Sequence, residues 1–200
     1  MHAQSRAQVH TQSEPEAVRN DAPTWRGMTV LAKIGTVVIW AVFVVYVILL
    51  LKLLLFSRTP GSERSLNLIP FATISHYLFS DSAATKGFAI GNVFGNVVAF
   101  APLGAFLPLL RRRTGIWTNL LIVVCTSVAV EIIQGVFGLG ASDIDDVILN
   151  TLGGLIGILF FTVLRVLLRR WSRVITVMAV LSLLAVPILY YLLFAIRLRM

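Results

Sequence analysis

Seven polar side chains stand out from apolar surroundings in this sequence: Asn92, Asn96, Glu131, Gln134, Asp143, Asp146 and Asn150. A charge near the centre of a bilayer costs about 2.5–3.5 kcal/mol on insertion scales, so such groups have a partner or a task. Asn92 and Asn96 are four residues apart, Glu131 and Gln134 three apart, and Asp143, Asp146 and Asn150 follow at intervals of three and four. On a helix each of these sets shares one face. Asp145 falls off that face, and Asp143 or Ser142 also suits a helix cap, where acidic groups favour the N-terminal dipole.

Two kinds of chemistry fit these groups. Amides and carboxylates between apolar helices can hydrogen-bond across and fix a bundle. The same groups can line a cavity for a headgroup, ion or ligand. There Glu131 would act as general base or oxygen ligand with Asp143 and Asp146 assisting. No metal and no cofactor is expected. His2 and His10 sit in the N-terminal tail and His76 lies in a loop, and no histidine pair has ligand spacing. Gly153 and Gly157 form a small-xxx-small pair beside Gly154, which suits close helix packing. The lone Cys125 reads as a small buried hydrophobe.

The elements that must position these groups are transmembrane helices. The chain has 200 residues, 58% hydrophobic and only 13% charged, against roughly 25% charged in ordinary globular chains. A soluble domain of this size could not bury so much apolar surface, whereas a bilayer accepts it. A spanning helix needs about 20 apolar residues. Runs at about 34–54, 87–110, 115–138 and 146–166 meet this, and a fifth lies within 171–200, with Pro187 a point where it could kink. The fold class expected is an all-α, polytopic transmembrane bundle of about five helices. Residues 1–29 read as a disordered cytoplasmic tail, 30–170 as the membrane domain and 171–200 as the fifth helix with the C-terminus.

The net charge of +8 does not point to nucleic acid, because the basic residues sit in short clusters between apolar runs. One side would hold Arg6, Arg19, Arg26, Lys33, Arg111, Arg112, Arg113, Arg165, Arg169, Arg170 and Arg173. The other would hold fewer: Lys52, Arg58, Arg64, Lys86, Arg197 and Arg199. The positive-inside rule then gives N-in, C-out. The polar residues of the second, third and fourth helices gather at the outer level in that orientation. Arg111, Arg112 and Arg113 read as a topology anchor that contacts anionic lipid. The long first outer loop carries the apolar patch Leu66, Asn67, Leu68, Ile69, Pro70, Phe71, and is expected to fold back onto the membrane face or dip between helices.

Four motifs occur in order. Asn67 to Phe71 reads NLIPF, and Asn96 to Gly104 reads NVVAFAPLG. Glu131 to Gln134 reads EIIQ, and Asp143 to Asp146 (DIDD) leads through Asn150 to Gly153 and Gly154. Together they resemble the VanZ-like family over residues 35–168. Asn67, Pro70 and Phe71 enter the candidate site through this motif. The resemblance implies a multi-pass protein of a bacterial plasma membrane. The family's namesake is associated with low-level resistance to the glycopeptide teicoplanin, without an established enzymatic reaction. It therefore implies action at the outer membrane face, with membrane lipids and a glycopeptide or lipid-linked envelope precursor as partners. A membrane enzyme acting on a lipid-linked cell-wall intermediate is the first alternative, and a non-catalytic ligand-binding or assembly module the second. The sequence departs from the family pattern at Ala141 and Ser142, where relatives often carry a basic residue. Oligomeric state is not fixed by the sequence.

Overall fold

The computed structural model describes residues 24–56, 66–79, 82–138 and 142–197. The tail expected to be disordered lies outside these residues up to position 23, as do Arg58, Arg64 and Arg199. A short 3-10 turn at Trp25–Gly27 leads into α1 (Val30–Phe56). There follow β1 (Leu66–Asn67), α2 (Ala72–Leu78), α3 (Ala83–Arg111), α4 (Ile116–Phe137), β2 (Ser142–Asp143), α5 (Ile144–Leu168) and α6 (Trp171–Arg197). Among the described residues the protein is all-α apart from one two-residue parallel pairing, Leu66 with Ser142 and Asn67 with Asp143.

Uncharged runs of Val, Leu and Ile become helices here because a helix satisfies its own backbone where no water can. Among the described residues, four helical stretches are long and apolar enough to cross a bilayer: Val30–Leu55, Ile90–Arg111, Ile116–Phe137 and Ile144–Leu168. The expected fifth run forms α6, with Pro187 inside the helix, but its apolar stretch among the described residues, Trp171–Pro187, is shorter than the four bilayer-length spans. Leu31, Trp117, Phe160 and Leu184 are among many large apolar side chains that face outward, as lipid-facing positions do, and Cys125, expected to be buried, is exposed with them. The interior is filled by Ile39, Phe100, Val123, Ile158, Phe161 and Val174.

The contacts fix how the helices run. Arg112 reaches the Met28 sulfur near the start of α1, while Gln134 reaches the Leu54 carbonyl near its end. Thus α1 runs with α4 and against α3. On α5, Gly153 sits against Val97 and Gly157 against Ala101 and Ala105, so α3 and α5 are parallel neighbours. Glycine is required at this crossing. A Cβ on Gly153 would strike the Val97 carbonyl oxygen, and one on Gly157 the Ala101 carbonyl oxygen. Small residues let two backbones come this close. Pro102 within α3 has no N–H for the Val98 carbonyl. One residue on, the Ala99 carbonyl accepts the Tyr46 hydroxyl at 2.6 Å and ties α1 to α3.

The bundle therefore has two chemically distinct ends. One holds Arg111, Arg112 and Arg113 between α3 and α4, and Arg165, Arg169, Arg170 and Arg173 around the α5–α6 junction. Arg111 donates to Asn119 Oδ1 at 2.7 Å, and Asn119 Nδ2 donates to the Arg113 and Gly115 carbonyls at 3.0 and 2.9 Å. The Arg165 guanidinium lies over the Trp171 ring, 5.1 Å from its centroid. The opposite end collects β1, α2, the start of α3, the end of α4, β2 and the start of α5.

Candidate functional site at the polar end

The polar end is organised by the first residues of α5. Asp143 precedes the helix as its N-cap, its Oδ1 accepting from Asp145 N at 2.9 Å. This corrects the expected stripe of Asp143, Asp146 and Asn150: Asp143 is extended backbone paired with Asn67, not a helical position. Its carboxylate also receives Asn67 Nδ2 at 3.1 Å and the Thr73 hydroxyl at 2.5 Å. Its own N–H donates to Glu131 Oε2 at 2.9 Å. Glu131 thus joins the end of α4 to the approach of α5, and it is buried, with 6% of its surface exposed.

Asp145, read from sequence as pointing away from the cluster, is 1% exposed and central to it. Its Oδ1 accepts Phe71 N at 2.5 Å and its Oδ2 accepts Ile74 N at 3.1 Å. One carboxylate thereby caps the start of α2 from another element, where the first N–H groups of a helix lack internal acceptors. Phe71 adopts φ 64°, a conformation bulky L residues seldom take, and the Asp145 contact holds it there. The neighbouring Asn67 accepts Ile69 N at 3.1 Å. Pro70, also in this turn, is exposed.

Asp146 turns to α3. Its Oδ1 accepts Asn96 Nδ2 at 2.6 Å and Asn92 Nδ2 at 3.3 Å. Asn150, one turn deeper, instead donates to the Ser127 hydroxyl of α4 at 2.9 Å. Gln134 turns to α1 and donates to the Leu54 carbonyl at 2.8 Å. Two buried acceptor oxygens, Gln134 Oε1 and Asn150 Oδ1, have no hydrogen-bond partner. The seven residues therefore lie at one end but divide among three interfaces. Asn92, Asn96 and Asp146 meet between α3 and α5, Glu131, Asp143 and Asn150 join α4 to the α5 segment, and Gln134 joins α4 to α1.

Thr73 and Ser127 join the cluster without having stood out in the sequence. Ser127 carries a usable signal, because it precedes Glu131 by four and Gln134 by seven and so continues their face. Thr73 carries none, since its partner lies 70 residues away. Among the described residues, no group of three or more histidines, cysteines or acids is placed to hold a metal ion. The carboxylates accept N–H and O–H donors from backbone, amides and a hydroxyl. This arrangement locks the 66–79 segment and the ends of α3, α4 and α5 together through buried and half-buried acceptors.

An all-α bundle with four bilayer-length apolar helices and carboxylates sealed into one end is an integral membrane protein. The VanZ/LLP1 family model matches residues 43–168, and the chain belongs to that family. It is also similar to Protein VanZ of Enterococcus faecium, with 38% identity over 96 residues. That alignment takes in 48% of this chain and 52% of the relative, so the chain spans about half the length of the curated relative it matches. No solved structure matches the chain.

Proposed function

We propose that this VanZ-family protein is a multi-pass protein of a bacterial plasma membrane whose polar end faces outward. There it alters how a lipophilic glycopeptide of the teicoplanin type meets the membrane surface or a lipid-linked envelope precursor. The observation that carries this reading is the segregation of charge between the two ends. The arginines of the α3–α4 and α5–α6 junctions gather at one end, and Asp143, Asp145, Asp146 and Glu131 at the other. Under the positive-inside rule the arginine end is cytoplasmic, which gives N-in, C-out and exposes the acidic end to the envelope.

The same geometry favours a binding or surface-modifying role over a catalytic one. Glu131, the best base by position, accepts the Asp143 N–H, and Asp143 and Asp145 are occupied in holding the loop. A base would need to reach a substrate proton. Expression in a teicoplanin-sensitive host should raise the inhibitory concentration of that drug, and Asp146→Ala should reduce the rise while the protein remains in the membrane. An unchanged inhibitory concentration with verified insertion contradicts the role. A reporter fused at position 112 that reads as external contradicts the orientation.

A further inference from the structure

We infer that the turn after β1 is a lipid-inserted wedge, with Leu68, Ile69 and Phe71 seated among the acyl chains bordering the polar end. These three side chains are 66%, 70% and 57% exposed within four residues. Residues 66–75 contain no charged side chain. A contiguous apolar patch of this kind marks an interaction surface.

The turn cannot tuck these side chains inward, because its backbone is clasped on both sides. Leu66 and Asn67 pair with Ser142 and Asp143, and Asp145 grips the N–H groups of Phe71 and Ile74. The clasp and the turn's own bonds also reduce the number of N–H groups that need water. Ile69 N is satisfied by Asn67 Oδ1, Phe71 N by Asp145 Oδ1 and Ala72 N by the Ile69 carbonyl, while Pro70 has no N–H to satisfy. Backbone enters hydrocarbon only when its polar groups are met internally.

The occupant follows from continuity. The clasp fastens the turn to the first residues of α5, where the apolar stretch Ile144–Leu168 begins. At the same end, Ile90 and Phe94 of α3 and Val136 and Phe137 of α4 face outward. The wedge extends this lipid-facing belt, and the inference holds whichever side of the membrane the polar end occupies.

The test uses the full chain with Cys125, its sole cysteine, changed to Ser. Ile69→Cys, and separately Leu68→Cys, are labelled with an environment-sensitive nitrobenzoxadiazole dye. The protein is reconstituted in phosphatidylcholine–phosphatidylglycerol vesicles. Both labels should emit at blue-shifted wavelength and lose intensity to lipids carrying an acyl-chain nitroxide, with little loss to aqueous iodide. Water-like emission with full quenching by iodide overturns the inference. Protection from both quenchers that disappears on dilution into excess lipid also overturns it, because a second copy of the chain would then be the occupant.

Discussion

The two ends of this bundle close their helices in different ways. At the basic end the connections are short. Arg112 and Arg169 each take a positive φ, 53° and 56°, where a helix stops. Backbone hydrogen bonds finish both turns, and Asn119 adds side-chain bonds to the first. At the polar end the chain between α1 and α3 is long, and order comes from side chains. Asp143 and Asp145 collect donors from a segment some 70 residues earlier in the chain. A turn made by backbone geometry leaves Arg113, Arg169 and Arg170 exposed. A turn made by carboxylates uses buried charge, which is costly to keep inside a membrane protein. The end that bears this cost is where function is to be sought.

Both ends rest on the α3–α5 crossing, so the largest effect should come from breaking it. Gly157→Val would drive a branched side chain into the Ala101 carbonyl and the Ala105 N–H. Overpacking of this kind costs about 3 kcal/mol. The expected outcome is loss of the monodisperse peak in detergent size exclusion, with both ends disordered together. A stable Gly157→Val protein would mean the crossing is loose and the two ends are not built on a common frame.

The next effect should fall on one end only. Asp145→Ala removes the acceptor of two backbone donors, each such charge-assisted bond contributing roughly 1.5–3 kcal/mol. Hydrogen exchange should rise across residues 66–79 and stay unchanged around Asn119. Asp145→Asn should lie between, because the amide keeps one acceptor oxygen. Equal acceleration at both ends would erase the contrast. Asn96→Ala is expected to cost less, about 1–2 kcal/mol, since Asp146 keeps Asn92 as a donor. In a double-mutant cycle Asn96→Ala and Asp146→Ala should be non-additive, whereas Asn96→Ala and Arg111→Ala should add.

The sequence carries the helices almost completely, because hydrocarbon enforces runs of about 20 apolar residues that nothing else in a chain of this composition needs. It also carries the shared faces of Asn92 with Asn96 and of Glu131 with Gln134, since those depend only on helical period. It does not carry the role of Asp145. Periodicity assigns Asp143 and Asp146 to one helical face, but Asp143 lies before the first turn, and the partner of Asp145 arrives from a distant loop. Nor does it carry the division of the cluster. Asp146 and Asn150 are four apart on α5, yet one meets α3 and the other α4, because α5 sits between those two helices and a single stripe faces both.

The smallest effect should come from the basic end. Arg111→Ala deletes one donor to Asn119 Oδ1, while Asn119 Nδ2 keeps the Arg113 and Gly115 carbonyls. Arg111 lies at the end of the apolar stretch Ile90–Arg111, where a long cationic side chain can reach the interface. The loss should be about 1 kcal/mol in thermal stability, because removing the half-buried Arg111 lets water reach Asn119 Oδ1, with exchange at residues 66–79 unaltered. Asn119→Ala should cost more than Arg111→Ala, because Asn119 is fully buried and three hydrogen bonds converge on it. If Arg111→Ala instead loosened the polar end, the arginines would be holding the bundle together as well as orienting it, and the division of labour between the ends would have to be redrawn.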